Sequence, residues 1–270
     1  MLPTMRRAAA LESIRELEVF RTVQWHDALD STNRYAAREH KSGRLPLPAL
    51  VVSDRQSQGA GRGGNAWWSP DGCLMFSIVL SRSDIEREAG QLPLLIGVSV
   101  AHAVASMTRL PVRVKWPNDV YLDDRKLCGI LIESSAQYEP ERSDAYIIGI
   151  GINAAVDFRQ APEALRATAI SLHEGIAEGL RESATPESLL LVVLQQWIAN
   201  RQAWTEDADW LAKHWPQCDW LSGKCVEITQ PGQSLQGIAR GIDCEGALLI
   251  EDRHGRVLTV CSGTVRALDA

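Results

Sequence analysis

Residues 113–134, RVKWPNDVYLDDRKLCGILIES, constrain the fold more than any other stretch of this chain. Val112 and Val114 alternate with Arg113 and Lys115, the two-residue period of a strand. Trp116-Pro117-Asn118-Asp119 interrupts it, because Pro117 cannot donate to a ladder and Asn and Asp favour turns. Residues 120–122 then predict a strand, 123–126 a tight turn and 127–133 a buried return strand. The expectation is a β-hairpin with Lys126 at the start of its second arm. An ammonium fixed there, near Lys115, Asn118 and Asp119, can hold an anion or a metal-bound phosphate. An ordinary hairpin with a solvated tip accounts equally well for DDRK alone.

A polar, helical lead-in (1–22) and a first strand (22–26) precede Asp30-Ser31-Thr32-Asn33, which with Arg34-Tyr35-Ala36-Ala37-Arg38 predicts a helix start. Unpaired N–H groups and hydroxyls at such an end can read a urea or amide head group, although a plain N-cap has the same sequence. A buried strand at 49–53 leads into a long loop, DRQSQGAGRGGNAWWSPDG, with Gly59, Gly61, Gly63, Gly64 and Gly72 around Arg62. Glycines let consecutive N–H groups turn toward one anion and let a phosphate approach the backbone. The formal G-x-G-x-x-G match is not a Rossmann turn, since a turn-rich WWSPDG and then a strand (73–80) follow it. The chain has no kinase H-R-D or D-F-G and no G-x-x-x-x-G-K-[ST]. What remains is an anion or nucleotide loop. Trp67 and Trp68 behind it can stack on a base or plug the core.

Residues 88–109 predict an amphipathic helix over the sheet, and 144–153 a buried strand whose Gly149-x-Gly151-x-Asn153 implies a close neighbour. Residues 154–184 read as loop with a helical piece at 162–167. Thr185-Pro186-Glu187 starts a strong helix. Trp204, Trp210, Trp215 and Trp220 read as core. From about Ser222 the pattern changes to short strands at 224–229, 235–241, 247–251 and 257–261, separated by PGQS, DCEG and RHGR. The division is a main domain at 1–221 and a small SH3-like β-barrel at 222–270.

With 270 residues, 45% hydrophobic and 23% charged, the chain has globular composition and length for a full core. A net charge of −6 argues against a nucleic-acid partner, and no apolar run reaches membrane-spanning length. No signal peptide is recognisable, so the expectation is a cytoplasmic protein. The six cysteines form no C-x-x-C and read as reduced thiols; the six histidines show no metal-ligand spacing.

The hairpin string KWPND followed by D-x-K-x-x-G-I-L-x-E, with DSTN at 30–33, GAGRGGNAW at 59–67, GIGIN at 149–153 and GIDCEGALLI at 241–250, resembles the biotin protein ligases from about residue 22 onward. That resemblance implies an α+β fold: a mixed, largely antiparallel sheet with helices packed on one side, then the small barrel. It implies an ATP-dependent ligase that makes biotinyl-5'-adenylate and transfers biotin to a lysine of a biotin carboxyl carrier protein, a subunit of acetyl-CoA carboxylase. Ser31, Thr32 and Asn33 would contact biotin, with Gln56 on its ureido end. The backbone of Gly59, Ala60, Gly61 and Arg62 would wrap the biotin carboxylate and the α-phosphate. Lys126 would serve both, and it and Arg62 are the implied catalytic residues. Gly61, Arg62, Gly63, Trp67, Asn118, Asp119, Lys126 and Asn153 would bind the nucleotide, with Mg²⁺ on Asp119.

Many relatives carry a basic residue where this chain has Ala60, and a more basic run at Gly63 and Asn65, so one side-chain contact to the adenylate is expected to be missing. The chain has no room for the N-terminal DNA-binding domain of repressor relatives, so a monofunctional ligase is expected. The oligomeric state is open, a homodimer included. The alternatives are a lipoate or octanoate ligase or transferase, and a non-catalytic biotin-binding sensor.

Overall fold

The computed structural model describes residues 3–85, 89–135 and 145–268. Helix α1 (Pro3–Glu16) leads to β1 (Thr22–His26), α2 (Thr32–Lys41) and β2 (Ala49–Ser53). β1 and β2 pair in parallel, with α2 as the crossover. β3 (Cys73–Ser81), α3 (Leu92–Thr108), β4 (Arg113–Lys115), β5 (Asp119–Leu122), β6 (Arg125–Ser134) and β7 (Ala145–Asn153) follow. The sheet runs β1-β2-β3-β7-β6-β5-β4, and every pair after the first is antiparallel. The expected starts at Glu88 and Asp144 lie outside the described residues; a 3-10 turn, Ala89–Gln91, precedes α3. Asp123 and Asp124, at φ of 49° and 58°, supply the left-handed pair that a two-residue hairpin loop needs.

Alternation decides what each face of the sheet packs against. Leu74, Phe76, Ile78, Ile148, Ile150 and Ile152 point into the main core with α3. α4 (Glu163–Arg166) falls on the helical piece expected at 162–167, and two further short helices, α5 (Leu172–Gly175) and α6 (Glu178–Arg181), occupy the rest of the region read as loop. The long α7 (Pro186–Glu206) and α8 (Trp210–Cys218) complete the helical layer. Thr185 and Ser188 form a reciprocal capping box at the α7 start, with Pro186 in its first turn. The larger helices therefore lie on one side, as expected. α2 sits on the other, where Ala36 and Ala37 pack on Val51, Val79 and Ile147. It covers only one end of that face, and the rest is the floor of a cleft.

β8 (Cys225–Gln230), β9 (Gln233–Ile242), β10 (Leu248–Glu251), β11 (Val257–Val260) and β12 (Thr264–Ala267) form a five-stranded antiparallel sheet in the order β11-β10-β9-β8-β12. β12 was not foreseen from sequence: its alternation, Thr264-Val265-Arg266-Ala267, is only four residues long, and its partner β8 lies 35 or more positions earlier, as in Thr264 with Thr229. Val226, Ile228, Leu248, Ile250 and Val265 belong to the same hydrophobic cluster as α3 and α7. The Asp243–Gly246 turn is pinned to the main unit, with Trp116 Nε1 donating to the Gly246 carbonyl (3.0 Å) and Gln91 Nε2 to that of Cys244 (2.8 Å). Among the described residues no helix is long and apolar enough to cross a membrane.

Candidate active site

Three glycines make the floor. Gly151 sits opposite Gly129 on β6, and Gly149 opposite Leu131, all on the face away from α3. A Cβ on Gly149 would lie 2.4 Å from Asn33 Oδ1, and one on Gly151 2.5 Å from Trp67 Cε2. A Cβ on Gly129 would meet Trp67 Cζ3 at 3.0 Å and Lys126 Nζ at 3.2 Å. Three sequence motifs thus converge where side chains are missing from the sheet: DSTN, the glycine loop and the lysine hairpin.

Ser31, Thr32, Asn33 and Gln56 line one end of the cleft. Ser31 is the N-cap of α2 in extended conformation, yet its hydroxyl makes no cap bond. The cap comes from afar: Gln56 Oε1 accepts from the Thr32 N–H at 2.6 Å. Ser31, Thr32 and Asn33 are almost wholly buried, as a site reading a small polar head group requires. Gln56 Nε2 points to Met75 Sδ (3.3 Å).

Ala60, Gly61, Arg62 and Trp67 line the same cleft. The loop folds back on itself through Gly61 N to Asn65 O (2.7 Å) and Trp67 N to Gly59 O (2.9 Å). Gly59 is at the base of the loop and not on the cleft wall; a Cβ there would lie 2.6 Å from the Trp67 carbonyl. Arg62 is exposed, and its Nη1 donates to the Gly263 carbonyl of the C-terminal sheet at 3.0 Å. Gly63 and Asn65 edge the adjoining recess between the loop, residues 115–119 and the C-terminal sheet.

Lys126 reaches this face through a register shift. Tyr121 pairs with Lys126 but Val120 with Cys128, so Leu127 is an extra residue and both Leu127 and Cys128 enter the core. Without that bulge strict alternation would carry Lys126 to the helical side. Its backbone is strapped by the region read as loop: Lys126 N donates to Thr168 O (2.8 Å) and Ile170 N to Lys126 O (3.0 Å). Asn153 Nδ2 adds a third bond to Lys126 O at 3.2 Å. The ammonium lies 2.6 Å from Asp119 Oδ1 and 5.6 Å from the Trp67 ring centroid. Asn118 exchanges bonds with Ile130 on β6, its Nδ2 donating to Ile130 O at 2.7 Å.

Lys115, mostly buried, donates to Tyr121 Oη at 3.3 Å. Burial pushes its pKa down; Asp119 opposes the shift, and Lys126 and Lys224 add to it. Burial and Asp119 push the Tyr121 phenol up to about 12, so it stays neutral and can only donate or accept a hydrogen bond. A second recess beside Lys126 is lined by Trp67, Tyr121, Asn153, Phe158 and Leu165. Its aromatic rings and its single amide suit a flat heterocycle. Trp220, read as core, instead backs the hairpin tip: its Nε1 donates to Asp124 Oδ1 at 2.7 Å, and Lys224 Nζ lies 3.3 Å from its ring centroid. Lys115, Tyr121 and Gly129 carry a sequence signal, their place in the hairpin motif. The Thr168–Ile170 strap and the contact from Gly263 carry none, since both are backbone groups distant in sequence.

No group of three or more His, Cys, Asp or Glu able to hold a metal occurs among the described residues. The recess adjoining the cleft offers one carboxylate, Asp119, already paired with Lys126. One carboxylate fits a magnesium that arrives on nucleotide phosphates and keeps most of its water; it does not fit a resident ion.

This sheet, with a glycine loop and a hairpin lysine sharing one cleft, is the architecture of a known class of acyl-activating ligases. The profile described as "Biotin/lipoate A/B protein ligase family" matches residues 25–153, and that of the "Biotin protein ligase C terminal domain" matches 221–269. The chain is 31% identical to the Mycobacterium tuberculosis "Biotin--[acetyl-CoA-carboxylase] ligase" over 87% of this chain and 85% of that protein. It is likewise 31% identical to the Bacillus subtilis "Bifunctional ligase/repressor BirA", over 86% and 70%. The structure "Biotin protein ligase from Aquifex aeolicus in complex with biotin and ATP" superposes with a TM-score of 0.78 at 29% identity, covering 92% of this chain and all of that one. The chain belongs to the biotin protein ligase family.

Proposed function

We infer that this protein activates biotin with ATP to biotinyl-5'-adenylate and transfers the biotinyl group to a lysine of a carrier protein. The observation that carries the reading is the meeting of Ser31 and Thr32, the Gly61–Arg62 backbone and Lys126 on one glycine floor. In the first step the biotin carboxylate attacks the α-phosphorus of ATP, and pyrophosphate leaves. In the second the carrier amine attacks the carbonyl of the mixed anhydride, and AMP leaves. No covalent enzyme nucleophile is required.

The obstacle in the first step is an anion approaching an anion. At about 4 Å, two unit charges repel by roughly 4 kcal/mol at an effective dielectric near 20. Fixed cations and oriented N–H groups offset that repulsion and stabilise the charge that develops on the phosphorus oxygens. Lys126 and Arg62 supply the cations, and the glycine-loop N–H groups not already bonded within the loop supply the amides. Ser31 and Thr32 hold the ureido end, and Gln56 keeps the helix start beneath it in place. Trp67 and Asn153 hold the adenine, with Tyr121 as a neutral wall. Asn118 fixes the β5–β6 edge beside the phosphates. Mg²⁺ carried by ATP would sit at Asp119 and supply further charge neutralisation when bound.

The carrier in this proposal is the biotin carboxyl carrier domain of an acetyl-CoA carboxylase, supported by the wording of the M. tuberculosis relative's name. Residues 1–221 are taken as the catalytic part and 222–270 as the appended barrel, which the C-terminal match at 221–269 supports. Incubation with ATP, Mg²⁺, biotin and a purified carrier domain should raise the carrier mass by one biotinyl group. Lipoate in place of biotin should leave it unchanged. An unmodified carrier together with no biotin-dependent pyrophosphate release would reject the assignment.

A further inference from the structure

Asn33 commits its side-chain amide to the protein. Nδ2 donates to Glu133 Oε2 at 2.7 Å and to Leu131 O at 3.3 Å, and Oδ1 accepts from Ser77 Oγ at 2.6 Å. Both N–H donors are used, and Ser77 is fully buried in the middle of β3. The register explains the reach. Ser77 and Leu131 flank Gly149 on its two sides, so Asn33 spans β3, β7 and β6 directly above the glycine. The Cβ distance of 2.4 Å shows that this span exists only because residue 149 lacks a side chain.

From this we propose that Ser77 and Glu133 are positioning residues for biotin binding, and that Asn33 is the tie through which they act and not a group that reads biotin. The proposal rests on the biotin reading of the Ser31–Thr32 end of the cleft. Asn33 is the second residue of α2, next to Ser31 and Thr32. The helix start is held at two points: Gln56 on the Thr32 N–H, and the three-strand tie on Asn33. Neither Ser77 nor Glu133 lines the cleft, and each is joined to its lining by a hydrogen bond to Asn33. A buried amide that loses one partner is left with an unsatisfied group and turns to find another. That motion displaces the two neighbouring hydroxyls.

The test compares Ser77→Ala, Glu133→Leu and Glu133→Gln in the full chain, with biotin-dependent pyrophosphate release and thermal melting as readouts. Ser77→Ala and Glu133→Leu should raise the KM for biotin about tenfold or more, while kcat and the KM for ATP stay within about twofold. Glu133→Gln keeps an acceptor oxygen and should restore the biotin KM. Folded variants with an unchanged biotin KM overturn the proposal. So do variants in which the parameters for both substrates move together, since that is a general structural defect. If the unsubstituted protein shows no biotin-dependent pyrophosphate release, the functional reading has failed instead, which separates the two.

Discussion

Lys126 Nζ and Asp119 Oδ1 lie 2.6 Å apart on neighbouring strands, at the edge of the glycine floor. Both side chains keep part of their surface in solvent, at 33% and 21%, but Asp119 Oδ1 itself is buried and has no hydrogen-bond partner among the described residues besides this ion pair. Lys126→Ala should therefore stay folded but melt lower, by the equivalent of about 1–3 kcal/mol. Its biotin-dependent pyrophosphate release should fall about 10²–10³-fold, the usual loss when one preorganised charge at a reacting centre is removed. Parallel melting and pyrophosphate assays check both halves; normal turnover would remove Lys126 from the chemistry.

Arg62 ties the glycine loop to the C-terminal sheet through Gly263. Arg62→Ala should slow adenylate formation by a similar factor and also free the loop. Limited proteolysis should then cut within residues 59–66 faster than before, and biotin with ATP should protect less. Arg62→Lys keeps the charge without the planar fork and should recover only part of the rate.

Gly151 is in contact with the Trp67 indole, where a Cβ would fall 2.5–2.8 Å from three ring atoms. Gly151→Ala must move the ring, at a cost of about 1–3 kcal/mol. The expected outcome is a lower melting temperature and ATP binding weakened at least tenfold. Calorimetric titration with each substrate should show biotin affinity much less affected.

His102 packs against the His214 ring at a centroid distance of 6.1 Å and faces the Asn200 amide. Burial, and secondarily His214, lower its pKa. Burial and then Arg7 lower that of His26, against opposing contributions from Asp27 and Glu39. A folded pKa below the unfolded one favours the neutral ring in the native state. These groups therefore subtract nothing above pH of about 6.5, and stability is lost as pH falls below it, by at most about 1.4 kcal/mol per pH unit for each ring. Urea titrations between pH 7.5 and 5 should show that slope, and His102→Gln should flatten it.

Cys73, Cys128 and Cys218 are buried and Cys225, Cys244 and Cys261 exposed. Burial pushes the Cys73 and Cys218 thiols up to about 12 and that of Cys128 up as well. A thiol reagent at pH 8 should titrate three groups quickly on the native protein and six after denaturation. Six fast groups would contradict the packing described above.

Local pattern made much of this legible. The alternation in ALVVS and CLMFSIVL, the DSTN helix start and the Asp123-Asp124 turn depend on residues within a few positions, and the strands and helices fell where those patterns put them. The bulge at Leu127 is different: nothing in RKLCGIL distinguishes a strand with one extra residue from one without, yet it decides which way Lys126 faces. The Thr168–Ile170 strap, β12 and the placement of α2 opposite the other helices are likewise set by partners far along the chain. Asn33 was readable as a site residue from DSTN, but its three partners on β3 and β6 were not.

The hydrophobic cluster that runs without a break from α3 into β8, β9 and β10 has a mechanical corollary. Shortening the chain at residue 221 would strip one wall from the interior and bare Leu94, which lies against Gly246, to water. The five C-terminal strands are thus part of the enzyme's keel, and heat should take the whole chain apart in one cooperative step.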